Sequence, residues 1–105
     1  MKDIVLICQY GASTGLLVKK MIEEAGKRNL SVNVNAYSEY QIEDILKSGN
    51  VGVVLMGPQI RVKKKEFEET YRSYGVEFVL IDPADYGMMN GKKVLDLALQ
   101  HMKEE

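Results

Sequence analysis

Tryptophan is absent from the 105-residue sequence, and cysteine and histidine occur once each, as Cys8 and His101. One cysteine cannot close an internal disulfide, and one cysteine with one histidine offers no set at metal-ligand spacing. The chain must fold on packing alone, no metal or cofactor is expected, and a reducing, cytoplasmic compartment suits it. Two prolines and nine glycines are too few for a collagen-like or low-complexity chain. Charge of neither sign prevails, since fourteen Lys and Arg against fifteen Asp and Glu leave a net charge of −1. Nucleic acid or an anionic membrane surface is not expected as a general partner on that ground. Long hydrophobic runs are missing too. The opening MKDIVLICQYG carries Asp3 ahead of an apolar run that ends at Cys8. That run is far short of the ~20 residues of a membrane span, so no membrane insertion is expected.

What is present is a globular composition, 46% hydrophobic and 28% charged, in a chain long enough to bury roughly two-thirds of its unfolded surface in one core. One domain over residues 1–105 is expected. Residues 3–8 (DIVLIC) form a short β-branched run that suits a buried strand. From Ser13 the period changes: Leu17, Met21 and Ala25, flanked by Val18 and Ile22, make an apolar helical stripe that closes near Gly26 to Asn29. Residues 31–37 (SVNVNAY) alternate as a half-exposed edge strand would, and 39–48 make a short helix with Ile42, Ile45 and Leu46 inward. Residues 51–56 (VGVVLM) are continuously apolar, as in a strand covered on both faces, and Gly57-Pro58-Gln59 stops them.

A helix across 62–74 is expected to face the core with Val62, Phe67, Thr70, Tyr71 and Tyr74, with Lys63-Lys64-Lys65 as its solvated start and Gly75 as its cap. Residues 76–81 (VEFVLI) are a fourth strand broken by Asp82-Pro83. The last helix is Gly91 to Met102, with Val94, Leu95, Ala98, Leu99 and Met102 apolar. Strict β-α alternation with short loops predicts an α/β fold, a four-stranded parallel sheet with helices on both faces. An edge-like second strand beside a central first strand gives the order 2-1-3-4. The chain then reverses between strands 1 and 3, where Cys8 and Gly57-Pro58-Gln59 would line one crevice at the strands' carboxyl ends.

The segment Gln9-Tyr10-Gly11-Ala12-Ser13-Thr14 joins a strand end to a helix start through small residues. Several backbone N–H groups can converge there at the positive end of a helix dipole, which makes an anion cradle able to hold a phosphate without any lysine or arginine. Ser13 or Thr14 can cap the helix or donate to a bound oxyanion. Cys8 would sit at the rim, where the same amides favour a thiolate, a nucleophile for phosphorus. The other reading makes Cys8 a small packed hydrophobe, the commoner fate of a cysteine ending a buried strand.

Competing patterns fit less well. Gly11-Ala12-Ser13-Thr14-Gly15 has the form G-x-S-x-G, but a hydrolase elbow needs a larger sheet and a base, and His101 lies in the last helix. A tyrosine phosphatase would place an arginine at Thr14 to clamp the phosphoryl group. An arginine introduced there is expected to hasten phosphate loss from Cys8. Thiol redox chemistry lacks a second cysteine.

The residues resemble the sugar-specific enzyme IIB components of the bacterial phosphotransferase system, in the lactose/cellobiose (N,N'-diacetylchitobiose) branch. The resemblance is carried by Ile4 to Cys8 with Gly11-Ala12-Ser13-Thr14 and Leu16 to Met21, then Val54 to Gln59, then Ile81-Asp82 and Asp85 to Gly91. It implies an architecture similar to low-molecular-weight tyrosine phosphatases and flavodoxins, and a cytoplasmic carrier working at the inner face of the membrane. Such a carrier takes a phosphoryl group on the residue matched by Cys8 from a phosphohistidine of enzyme IIA. It passes the group to a disaccharide held by the membrane enzyme IIC. Gln9 to Thr14 match the phosphate loop, and Gly15 replaces a serine common in the family. Tyr86 and Tyr10 would flank the crevice, and Pro58, Gln59, Met88 and Met89 are read as either docking-face or plain structural residues. A non-catalytic phosphoanion-binding or regulatory module with a structural Cys8 is the alternative.

Overall fold

The computed structural model describes residues 2–9 and 14–102. Among them β1 (Asp3–Cys8), β2 (Val34–Ser38), β3 (Val51–Met56) and β4 (Phe78–Leu80) form one parallel sheet in the order β2-β1-β3-β4. Helices α1 (Gly15–Lys27), α2 (Ile42–Lys47) and α3 (Lys64–Thr70) lie in the crossovers, and α4 (Pro83–Gly87) and α5 (Gly91–His101) follow β4. The expected topology is observed, with β1 and β3 central.

The continuous apolar runs are explained by two cores. Ile4, Leu6, Val53 and Leu55 point to the layer of α1 and α5, where Leu17, Met21, Val94 and Leu95 meet them. Val5, Ile7, Val54 and Met56 point to the other layer with Ile42, Leu46 and Phe67. A register shift between Asp3 and Ile4 lets Val51 and Val53 face opposite layers. Burying both faces of two strands is the main stabilising term.

Helix α5 approaches α1 closely because Gly91 has no side chain: a Cβ there would stand 2.7 Å from the Lys20 carbonyl carbon. Asn90 caps α5 by accepting from the Lys93 N–H at 3.1 Å. In α1 the stripe Leu17, Met21 and Ala25 is buried as expected, but Ile22 is half exposed, on the rim of the stripe.

The segment after β3 differs most from expectation. The helix expected at 62–74 is a 3₁₀ stretch at Pro58–Lys63, then α3, then a 3₁₀ turn at Arg72–Tyr74. The tighter 3₁₀ winding changes the phase, so Ile60 takes the inward position and Val62 is 82% exposed. Thr70 and Tyr74 are exposed as well. Phe67 and Tyr71 carry the packing, their rings 5.8 and 6.2 Å from Phe78. Gly75 ends the segment at φ +68°, the left-handed cap expected of it.

Strand β2 begins at Val34 rather than residue 31, and the ladder of β4 is confined to Phe78–Leu80. Within the expected 39–48 helix the first turn is 3₁₀, Ile42 and Leu46 are buried, and Ile45 is partly so. Helix α4 was not anticipated. Asp82-Pro83 reads as a strand breaker, yet it also starts a helix: Asp82 Oδ1 accepts from the Ala84 N–H at 2.8 Å and proline occupies the first helical turn.

Candidate functional site

Cys8 is the last residue of β1, paired in register with Ser38 of β2 and 2% exposed. On its other side the turn after β3 closes on it. The Gly57 N–H donates to the Ile7 carbonyl at 2.9 Å, and a Cβ on Gly57 would lie 3.4 Å from Cys8 Cβ. The same hypothetical atom would be 2.9 Å from Gln59 Oε1, so the exposed Gln59 folds its amide back over Gly57. Pro58 is half-buried and opens the 3₁₀ stretch. The anticipated grouping of Cys8 with Gly57, Pro58 and Gln59 is thus found at the carboxyl ends of β1 and β3, where the chain reverses direction across the sheet.

Thr14 is the N-cap residue of the 13-residue helix α1 and is fully buried. Its side chain does not cap the helix amides, contrary to one of the two roles anticipated for it. The helix start, with its positive dipole end, is therefore joined to Cys8 by the short segment 9–14. Gln9 is exposed, and its carbonyl accepts from Ser38 Oγ at 3.4 Å. Tyr10, Gly11, Ala12 and Ser13, expected in the anion cradle, lie outside the described residues. At Gly15 a Cβ would meet nothing within 4 Å.

One wall of the crevice is tied together across β1. Glu39, after β2, is buried and pairs with Lys63 Nζ at 2.5 Å. Lys63 also lies 5.9 Å from the centre of the Tyr40 ring. The hydrogen bond to Glu39 raises the Lys63 pKa above its ordinary 10.5. Tyr86, anticipated at the crevice, is 8% exposed and belongs to the core beneath α1 and α5. Met88 is 77% exposed, whereas Met89 is half-buried against that core with φ 54°.

Leu16, Tyr40 and Val62 are exposed apolar residues in the segments that follow the carboxyl ends of β1, β2 and β3, as Met88 is after β4. Sequence periodicity missed them as a surface set, and Val62 was assigned inward; only the phase of the turns reveals them. His101 pairs with Glu77 at 3.0 Å, and Glu77 precedes β4, so the lone histidine sits at the opposite end of the sheet from Cys8. A cavity of about 430 Å³ lies beyond Pro58, between the outer side of β4 and α5, with Leu80, Pro83 and Leu97 in its walls and Cys8 outside them. No cluster of three metal-ligating side chains occurs among the described residues, nor is any helix there long and apolar enough to cross a membrane.

The family model described as "PTS system, Lactose/Cellobiose specific IIB subunit" matches residues 3–97. The oligo-beta-mannoside-specific EIIB component of Bacillus subtilis is 34% identical over 102 residues, 97% of each chain. The solution structure of the cellobiose-specific phosphotransferase IIB component from Borrelia burgdorferi superposes with a TM-score of 0.78 at 35% identity, covering 95% of this chain and 90% of that one. The lactose-specific EIICB component of Lacticaseibacillus casei is 26% identical over 96 residues, 90% of this chain but 16% of that longer protein.

Proposed function

The chain belongs to the lactose/cellobiose-specific IIB subunits of the phosphotransferase system, and we propose that it relays a phosphoryl group through Cys8. IIB subunits are phosphotransferases. The observation that carries the reading is the position of the sole cysteine, at the carboxyl end of a central strand with the Gly57 turn against it and the N-cap of helix α1, Thr14, six positions on.

In this mechanism the Cys8 thiolate attacks the phosphorus of a phosphohistidine on enzyme IIA. The S–P bond forms as the P–N bond breaks, and the departing imidazole nitrogen takes the electron pair and then a proton. A hydroxyl of the sugar held by enzyme IIC next attacks phosphorus. The O–P bond forms as the S–P bond breaks, the sulfur keeps the electron pair as the thiolate, and the hydroxyl proton passes to solvent. Gln9, Tyr10, Gly11, Ala12, Ser13 and Thr14 cradle the phosphoryl oxygens, with the amide dipoles neutralising charge at both stages. A carrier must keep the group from water, and a threonine at position 14 instead of an arginine suits storage better than hydrolysis.

Partner choice follows from the relatives. In the Lacticaseibacillus protein a matching segment is part of an EIICB component, which supports a IIC partner for this chain at the inner membrane face. Leu16, Tyr40, Val62 and Met88 provide the apolar surface on which IIA and IIC dock in turn, with Pro58 and Gln59 beside it. The relatives' names span oligo-beta-mannoside, galactose, cellobiose and lactose, and the acceptor proposed here is a disaccharide of the cellobiose/lactose class.

Intact mass after incubation with phosphoenolpyruvate, the general phosphotransferase proteins and a lactose/cellobiose-type enzyme IIA tests the proposal. The wild type gains one phosphoryl group, and Cys8→Ser gains none. A phosphoryl adduct on Cys8→Ser, or none on the wild type, overturns it. The 2% exposure of Cys8 favours a second reading, a phosphoanion-binding module with a structural cysteine. That module would bind inorganic phosphate equally well as Cys8→Ser and gain no mass.

A further inference from the structure

Along β1 the backbone groups alternate. Asp3 and Ile7 bond toward the β3 side, through the Asn50 carbonyl and the Gly57 N–H, while Ile4 bonds toward the β2 side through the Asn33 carbonyl. Continued by one step, the alternation would turn the Gln9 carbonyl toward β3, into the crevice beside Cys8 and Gly57. It does not go there. The chain bends at Gln9, and the carbonyl accepts from Ser38 Oγ on the β2 side at 3.4 Å.

Ser38 is itself held in place from two directions. Its Oγ accepts from the Tyr40 N–H at 3.1 Å, and its own N–H donates to Gln41 Oε1 at 2.9 Å, a reciprocal capping box. With a lone pair engaged by Tyr40, the hydroxyl proton is directed to Gln9. From this we infer that Ser38 is a positioning residue for phosphoryl capture on Cys8. Its hydroxyl draws the carbonyl that immediately follows the cysteine out of the crevice. A carbonyl oxygen facing a phosphoryl dianion repels it, because both carry negative charge at the point of closest approach.

The inference rests on the phosphocarrier reading, and the test separates the two. The full chain is mixed with excess phosphohistidine enzyme IIA, quenched at intervals and weighed intact. Ser38→Ala lowers the maximal loading rate roughly three- to tenfold, the worth of one hydrogen bond. The half-saturating IIA concentration stays unchanged, because the hydroxyl faces Gln9 and not the partner. Ser38→Thr keeps donor and acceptor and restores most of the rate. Ser38→Gly deletes the hydroxyl but disturbs the helix cap far less than alanine does, so it loads as slowly as Ser38→Ala while melting near the wild type.

Loading at the wild-type rate in both Ser38→Ala and Ser38→Gly overturns the inference and leaves the carrier reading standing. A defect confined to Ser38→Ala that tracks its lowered melting temperature also overturns it, by reducing Ser38 to a cap. A wild type that never loads overturns both.

Discussion

At the scale of single residues, the site is built from small side chains whose neighbours set what each position tolerates. Thr14 and Gly15 are adjacent and behave oppositely. Thr14 is fully buried, whereas a Cβ at Gly15 meets open space. Gly15→Ser should leave stability within about 0.5 kcal/mol. Thr14→Arg should cost more than about 2 kcal/mol, because a long cation must be forced into a packed site. Urea midpoints of the two variants measure the contrast. The structure thereby alters the expectation of a phosphatase-like clamp: an arginine at position 14 must first displace the packing around it. Cys8 itself was visible in the sequence as a strand-end thiol. Its grouping with Gly57 followed from the inferred strand order, but the closeness of that contact did not, because it depends on how the turn after β3 folds back onto β1.

At the scale of elements, the two long helices followed their periodicity and the short segments did not. Helices α1 and α5 have enough turns for their stripes to dominate, and their buried residues are the ones the spacing marks. After β3 the 3₁₀ stretch winds at about three residues per turn, so an extrapolated 3.6-residue period assigned Val62 inward and overlooked Ile60. The packing of α1 on α5 gives a sharp test at Gly91. Alanine is intrinsically better in a helix by about 1 kcal/mol, yet its Cβ would stand 2.7 Å from the Lys20 backbone. Gly91→Ala should therefore be net destabilising by about 1–3 kcal/mol, read from chemical denaturation. A stabilised variant would show that the two helices separate readily.

At the scale of the whole molecule, the Glu39–Lys63 pair joins the segment after β2 to the segment after β3, across the end of β1. Lys63 has its pKa raised above 10.5 by the hydrogen bond to Glu39. The contribution of that lysine to folding is thus fully present below pH 10.5 and is lost as pH rises through the higher folded value. Thermal melts from pH 8 to 12 should show the fall, and Lys63→Met should make it shallower. An equal fall in both proteins would show that the pair carries no such linkage.

The sequence by itself determined the order of the strands and of the two long helices, the parallel topology and the two-layer burial of β1 and β3. These follow from local periodicity and from the requirement that apolar runs be covered on both faces. It also singled out Cys8 and the segment leading to Thr14, because a lone thiol between a strand and a helix start is a local pattern. Tertiary structure alone decided what else surrounds them: Ser38 on the Gln9 carbonyl, Glu39 paired with Lys63, and Tyr86 packed into the core. Each of those contacts joins segments distant in sequence. Their geometry is set by sheet register and by the phase of short turns, which no local periodicity encodes.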